Sequence, residues 1–164
     1  MSVEELVLEL ALEPHPEGGF YRQTYRSEGS IARPEGFSGP RSFSTAIYFL
    51  LPEGRCSMLH RIRSDEVWHF YAGGPLELFE IDERGALVKT ALGADLAAGQ
   101  LPQYVVKAGR WFGASPFPAA GYSLVGCTVA PGFDFSDFEL ARRAELLARY
   151  PHLADLVLRL TPAA

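Results

Sequence analysis

The feature that most constrains this fold is a succession of short runs rich in β-branched and aromatic residues, separated by glycine and proline, between positions 20 and 130. The runs are Phe20 to Arg26, Phe43 to Leu51, Cys56 to Ile62, Glu66 to Tyr71, Leu76 to Ile81, Leu87 to Leu92, Tyr104 to Val106, Trp111 to Ala114 and Tyr122 to Val129. Short runs with turn residues between them are typical of the strands of a sandwich or barrel. The sequence therefore predicts an all-β fold.

Helical signals flank these runs at both ends of the chain. Ser2 and Glu5 have the spacing of a capping box, in which each side chain bonds the backbone N–H of the other residue. Ser136 and Glu139 repeat that spacing, and apolar residues then recur at helical intervals. We predict one domain over residues 1–164, with an N-terminal helix in 1–13, a β-barrel over 19–130 and C-terminal helices over 136–161.

Charge and hydropathy exclude several classes of partner. The formal net charge is −5, whereas nonspecific nucleic-acid binding needs a basic surface, so we expect no nucleic-acid partner. The acidic first residues differ from a signal peptide, and no stretch has the length and apolarity of a membrane span. We therefore expect a cytoplasmic protein with no membrane partner.

The run from Leu59 to Tyr71 carries two histidines and a carboxylate whose directions follow from strand alternation. Side chains alternate across a strand, so His60 and Ile62 share one face of the first predicted strand. In the next strand Glu66 shares a face with Trp68 and Phe70, and His69 points to the opposite face.

The same stretch resembles the first motif of the cupin superfamily, G-x5-H-x-H-x3-E-x6-G. Gly54, His60, Glu66 and Gly73 fall in register, with Ile62 in place of the second histidine. The second motif, P-x-G-x2-H, matches only at Gly109, because Lys107 and Phe112 replace its proline and histidine.

Five segments together are similar to a small family within the superfamily, cupin family five, a domain of unknown function. They are "HPEGGFYRQTYRS", "STAIYFLL", "HRIRSDEVWHFYAGG", "GRWFGAS" and "VAPGFDFSDFEL", between residues 15 and 140. The resemblance implies a double-stranded β-helix, the cupin jelly-roll barrel, which encloses a ligand-sized cavity and is usually dimeric. We expect a homodimer formed through the N-terminal strand region, and a small-molecule ligand in the cavity.

In the cupin register, the face with His60 and Glu66 points into the barrel. A histidine oriented by a carboxylate is the usual construction of a general base, so we assign His60 as the base, Glu66 as the residue that orients it and Tyr48 as a proton donor. A structural polar pair that joins two strands is the alternative reading. The residues expected to bind substrate are Phe20, Arg22, Trp68, Phe70, Trp111 and Phe112.

The sequence leaves three functions open. The first is a metal-independent epimerase or isomerase that acts on a carbonyl- or sugar-like metabolite, and the second is a cupin that binds or senses a metabolite without turnover. The third, metal-dependent oxygenase or isomerase chemistry, needs about three protein ligands, and Ile62 and Phe112 cannot ligate. We therefore expect no metal and no cofactor, and leave open a weak metal at His60 and Glu66.

Overall fold

A computed structural model of the chain describes residues 1–163, so the last residue of the predicted domain lies outside it. The helices are α1 (Val3–Glu9), α2 (Arg143–Arg149) and α3 (Ala154–Arg159), with 3-10 turns at Phe135–Asp137 and Pro151–Leu153. The strands are β1 (Glu13–Pro14), β2 (Phe20–Arg26), β3 (Ser30–Ile31), β4 (Arg41–Ser42), β5 (Thr45–Pro52), β6 (Ser57–Arg61), β7 (Asp65–Gly73), β8 (Leu76–Ile81), β9 (Leu87–Leu92), β10 (Gln103–Val106), β11 (Trp111–Pro116), β12 (Tyr122–Ala130) and β13 (Glu139–Leu140). The predicted all-β class is confirmed.

Two antiparallel sheets form a jelly-roll barrel. Six strands pair in the order β1-β2-β5-β12-β7-β10, and five pair in the order β13-β6-β11-β8-β9. The short strands β3 and β4 pair with each other. Several neighbours in each sheet are distant in sequence, as β5 and β12 or β6 and β11 are, which is the pattern of a double-stranded β-helix rather than of a simple meander.

The main core lies between the two sheets and is built from alternate residues of their strands. Phe49 and Leu51 from β5 meet Trp68 from β7, and Leu78 and Phe112 face them from the other sheet. All five side chains are buried, and apolar burial contributes about 25 cal/mol for each Å² that is removed from water.

Helices cover the outer face of each sheet. Helix α1, which begins with the predicted capping box of Ser2 and Glu5, packs its Leu6 on the outward side of β5 at Leu50. Helices α2 and α3 cover the outer face of the five-stranded sheet. No helix within residues 1–163 has the length and apolar composition that a membrane crossing requires.

The predicted start of the C-terminal helices at residue 136 is wrong. Ser136 lies in a 3-10 turn that Asp134 caps, and residues 139 and 140 form β13 on the edge of β6. Helix α2 begins only at Arg143. Residues 139 and 140 form backbone hydrogen bonds with β6 instead of the hydrogen bonds of a helix. Tertiary structure therefore overrides the local capping signal.

Candidate functional site

A small cavity opens inside the barrel between the two sheets, with a volume of about 40 Å³. It is lined by His15, Glu17, Tyr21, Thr45, Ile47, Phe49, His60, Ile62, Glu66, Cys127, Val129, Phe133 and Phe138. A space of this size holds about one to three water molecules. Most of the wall is apolar or aromatic, and it includes two acids and two histidines.

The orientation of His60 is set by its own strand. Its side chain is almost fully buried, and Nδ1 lies 2.7 Å from the carbonyl oxygen of Met58. A carbonyl can only accept, so Nδ1 carries the hydrogen and donates it. The second nitrogen, Nε2, lies 3.0 Å from Oε2 of Glu17, and the ring packs on Phe112 with centroids 4.1 Å apart.

The contact between Glu17 and His60 must contain a proton, because two lone pairs at 3.0 Å would repel each other. Burial raises the pKa of the Glu17 carboxyl and lowers the pKa of the His60 imidazole. Both shifts favour the uncharged pair, in which the Glu17 carboxyl donates to Nε2. Ser57 Oγ donates to the other Glu17 oxygen at 2.6 Å, so both nitrogens of His60 and both oxygens of Glu17 have partners.

A second imidazole, His15, belongs to the same cluster. Its Nδ1 accepts a hydrogen bond from the backbone N–H of Glu17 at 3.2 Å and lies 3.6 Å from Glu17 Oε2. The ring stands edge-on to Tyr21, with centroids 4.5 Å apart. Burial lowers the pKa of His15, which favours its neutral form.

Glu66 differs from Glu17 because one of its oxygens has no partner. The residue is 8% exposed, and Oε2 is buried without a hydrogen bond. Burial raises the pKa of this carboxyl to about 7. Cys127 and the indole of Trp68 adjoin the carboxyl and lower its pKa slightly, but the indole N–H makes no hydrogen bond of ordinary geometry.

The structure brings together some of the residues predicted for the site. His60 and Glu66 line the cavity, and Trp68, Phe70 and Phe112 lie in the core that adjoins it. The predicted role of Glu66 in orienting His60 is wrong, because Glu17 and the Met58 carbonyl occupy the two ring nitrogens. His69 points away from the cavity and hydrogen-bonds Thr128 Oγ1 at 3.0 Å.

Three residues predicted for the site lie on the outside of the six-stranded sheet. Phe20 and Tyr48 pack in the cluster beneath α1, and the Arg22 guanidinium stands over the Tyr48 ring at 5.6 Å. The inward positions of β2 and β5 belong instead to Tyr21 and Phe49, which are paired in register. A shift of one residue in strand parity exchanges the faces, so the predicted proton donor and two predicted contacts are wrong.

Trp111 is also misplaced in the prediction. It packs beneath the C-terminal helices, and the Arg61 guanidinium lies 4.4 Å from its ring. Adjacent residues in a strand point to opposite faces, so Trp111 and Phe112 cannot both line the barrel.

Glu17 and His15 lie in the turn between β1 and β2 and were not among the residues predicted for the site. Gly18, with a φ of +111°, lets this turn approach β6 so closely that a Cβ there would lie 2.2 Å from the Cys56 carbonyl oxygen. The Glu17 carbonyl also accepts from Met58 N–H at 2.7 Å, which ties the turn to the strand of His60. Two titratable residues within a turn rich in proline and glycine were the available signal.

An aromatic cover of Phe133 and Phe138 forms one wall of the cavity. Phe133 and Phe138 line it from the segment after β12. A buried ion pair anchors this segment, because Arg41 Nε and Nη2 each lie 2.7 Å from a different oxygen of Asp137. Beyond the cover lies an open groove of about 510 Å³, which shares Ile62 and Phe138 with the cavity.

The residues present do not fit a catalytic metal centre. Ile62 and Phe112 occupy the two positions at which the superfamily motifs carry histidine, and both nitrogens of His60 already have partners. Within residues 1–163, no group of three or more His, Cys, Asp or Glu side chains is arranged to hold a metal ion.

A family model described as "Cupin superfamily (DUF985)" matches residues 4–141 of the chain. A curated relative is the uncharacterized protein YML079W of Saccharomyces cerevisiae, which is 28% identical over 148 residues, or 83% of this chain and 73% of its own length.

Two solved structures match almost the full length of both chains. A hypothetical protein from Leishmania major is 36% identical with a TM-score of 0.91, covering 99% of this chain and 100% of its own. Protein SO0799 from Shewanella oneidensis is 43% identical with a TM-score of 0.90, covering 100% of this chain and 99% of its own. Oxalate decarboxylase from Bacillus subtilis is 12% identical with a TM-score of 0.58 over 92% of this chain and 40% of its own, so it shows a shared fold alone.

Proposed function

We propose that this chain, which belongs to the DUF985 family of the cupin superfamily, binds the carbonyl end of a small carbonyl- or sugar-like molecule at its cavity of about 40 Å³ and exchanges a proton with it through Glu66. The observation that carries the proposal is the buried, unpartnered Oε2 of Glu66 on the cavity wall. Leaving a buried polar atom without a partner costs about 1–3 kcal/mol, and a ligand that bonds it removes this cost.

The electrostatics of the site support proton transfer by Glu66 rather than by His60. A pKa of about 7 allows this carboxyl to take up and release a proton near neutral pH, where a general base works best. The nitrogens of His60 are bonded to Met58 and Glu17, so a ligand can reach neither without breaking a hydrogen bond. His60 and Glu17 then act as a neutral, rigid wall beside the reacting carboxyl.

The proposed reaction is an isomerisation by proton transfer. The Glu66 carboxylate removes a proton from the carbon next to the ligand's carbonyl, and the C–H electron pair forms an enolate. In an α-hydroxycarbonyl ligand, the proton of the neighbouring hydroxyl moves to the enolate oxygen, and the protonated Glu66 carboxyl returns its proton to the former carbonyl carbon. The carbonyl has then moved by one carbon, and the enzyme is unchanged. Phe133 and Phe138 form part of the cavity wall, and their apolar rings limit the access of bulk water to this step.

Proton exchange in heavy water tests the proposal directly. Dihydroxyacetone, glyceraldehyde and unphosphorylated aldoses and ketoses are incubated with the protein in D2O, and proton NMR follows the loss of the α C–H signal. We expect exchange with at least one compound, slowed about 100-fold or more by Glu66→Gln. Glu9→Gln, on the exposed end of α1, serves as the control and leaves the rate unchanged.

Exchange that continues at the wild-type rate in Glu66→Gln would contradict the role of this carboxyl. Binding without exchange would favour the second candidate, a cupin that holds a metabolite without turnover. The full hydrogen bonding of His60 and Glu17 supports that alternative, because it leaves neither residue free to exchange a proton with the ligand.

We also propose that the protein is a homodimer formed through the region of β1 and β2. Strand β1 is an edge strand, and Tyr25 on β2 is 54% exposed. Unpaired edges and exposed aromatic rings favour association with a second copy. Sedimentation velocity should report a dimer that Tyr25→Glu weakens, and a monomeric wild type would contradict the proposal.

A further inference from the structure

An unpartnered buried polar atom beside a cavity indicates where a hydrogen-bonding ligand group would be stabilised. Within residues 1–163, three buried side-chain atoms lack a hydrogen bond: Glu66 Oε2, Trp68 Nε1 and Trp111 Nε1. Glu66 and Trp68 are two residues apart on the inward face of β7 and adjoin each other, whereas Trp111 lies beneath the C-terminal helices. Glu66 lines the cavity, and the Trp68 indole lies beside its carboxyl in the adjoining core, so an acceptor and a donor without hydrogen bonds of ordinary geometry are neighbours.

The charges of the side chains that line the cavity restrict which ligand groups can bond both Glu66 Oε2 and Trp68 Nε1. The described residues that line the cavity include two acids, Glu17 and Glu66, and no arginine or lysine. Burial lowers the pKa of both His15 and His60, so neither imidazole supplies a positive charge near neutral pH. An anion in this space would meet the Glu66 carboxylate without a compensating cation, which is costly in a buried site.

We infer that the cavity takes an uncharged ligand group, a hydroxyl or a primary carboxamide, that donates a hydrogen bond to Glu66 Oε2 and accepts one from Trp68 Nε1. Carboxylate and phosphate groups are excluded from this position. The inference rests on the proposed function, because it names the chemical class of the group that meets Glu66.

The requirement for a group that both donates and accepts follows from the two partners. The indole N–H can only donate, and an ionised carboxyl can only accept. A carboxylate on the ligand could bond Trp68 but would place two anionic oxygens together at Glu66. A hydroxyl and a carboxamide each offer one acceptor and one donor, and the volume of about 40 Å³ admits a group of this size.

Three small probes of similar size test the inference: ethanol and acetamide as neutral groups, and acetate as the anion. The protein is labelled with 15N, and the indole N–H resonances of Trp68 and Trp111 are followed during titration at about pH 8, where Glu66 and acetate are both ionised. The two tryptophans are the only ones in the chain, so Trp111 serves as an internal control for solvent effects.

We expect saturable shifts of the Trp68 N–H with ethanol and acetamide and none at Trp111. Acetate should bind at least about 10-fold more weakly than acetamide, which corresponds to about 1.4 kcal/mol. Glu66→Gln removes the negative charge and keeps the side-chain shape, so acetate affinity should rise about 10-fold or more while acetamide affinity changes less than about threefold. Glu9→Gln should alter neither affinity.

Acetate that binds the wild type as tightly as acetamide would overturn the inference, as would the absence of a saturable shift with both neutral probes. These outcomes are separate from the failure of the proposed function. Neutral probes that bind as expected, with no proton exchange by any carbonyl compound, would contradict proton transfer and leave the ligand class intact.

Discussion

The barrel contains two buried glutamates on inward strand faces, and their surroundings differ. Glu80 on β8 is 1% exposed, accepts a hydrogen bond from the Tyr104 hydroxyl at 2.5 Å and pairs with Arg110 at 3.3 Å. Glu66 on β7 is 8% exposed, and its Oε2 has neither a donor nor a cationic partner. Both are buried glutamates on inward strand faces. Only the Glu80 carboxyl has both a hydrogen-bond donor and a cationic partner.

This difference separates a structural carboxyl from a functional one. Buried acids normally have hydrogen bonds and a counter-charge, as Glu80 has, because the cost of burying a charge is otherwise too large. Glu66 retains that cost in the free protein, and its pKa is raised to about 7 as a result. An uncompensated acid at a cavity wall is a typical property of binding and catalytic sites.

The largest expected effect on the free energy of unfolding comes from replacing Glu80, the carboxyl that has hydrogen-bond and ion-pair partners. Glu80→Gln leaves Arg110 without the buried carboxylate and presents an amide N–H₂ to a donor, so we expect the free energy of unfolding to fall by about 3–4 kcal/mol. Glu66→Gln should change it by less than about 1 kcal/mol at pH 5, where Glu66 is mostly protonated. Urea denaturation measures both, and an equal loss in the two variants would remove the distinction.

The second effect is a pH dependence that belongs to Glu66. Its pKa is about 7 in the folded chain and 4.5 as a model carboxyl, so between these values the folded state holds a proton that the unfolded state has released. The free energy of unfolding should therefore fall by about 3 kcal/mol as the pH rises across this interval, and then level off.

Glu66→Gln removes this titration, so the difference between wild type and variant isolates it from Glu17, which both retain. Urea denaturation of the two proteins from pH 4.5 to pH 8 gives the comparison. Parallel curves would show that Glu66 titrates equally in both states.

A smaller effect is expected from removing the hydrogen bond that Ser57 donates to Glu17, the second acid of the cavity. Ser57 Oγ donates to Glu17 Oε1 at 2.6 Å, so Ser57→Ala makes that oxygen as unpartnered as the free oxygen of Glu66. We expect a loss of about 1–2 kcal/mol in the free energy of unfolding. Ser123→Ala, which also removes a buried hydroxyl from a strand, is the matched control for general effects of the substitution.

The smallest effect is expected for Tyr48, on the outer face of the six-stranded sheet. Tyr48 lies outside the barrel against Tyr71 and beneath α1, so Tyr48→Phe should change the proton-exchange rate by less than about twofold. The D2O assay described above measures it. A loss comparable to that of Glu66→Gln would mean that the hydroxyl of Tyr48 reaches the ligand.

The strands were predictable because their signal is local. Alternation and turn residues repeat within each run, and the runs of Tyr122 to Val129 and Leu76 to Ile81 correspond to β12 and β8 almost residue for residue. The relative directions of His60, Glu66 and His69 followed from the same periodicity.

The absolute direction of other strands was not predictable, because it depends on which sheet a strand joins and on its register. Phe20 and Arg22 do share a face, as alternation requires, but that face lies outside the barrel. The pairing of Glu17 with His60 spans 43 positions and depends on how closely a turn packs against β6, so no local pattern reports it.

The proposed function depends on Glu66 being an unsatisfied acid whose proton is exchangeable near neutral pH. A titration of the protein labelled with 13C at the glutamate carboxyl carbons, with Glu66 identified by the absence of its signal in Glu66→Gln, measures this directly. We expect a midpoint near pH 7 for Glu66. A midpoint near 4.5, the value of an unperturbed glutamate, would contradict it.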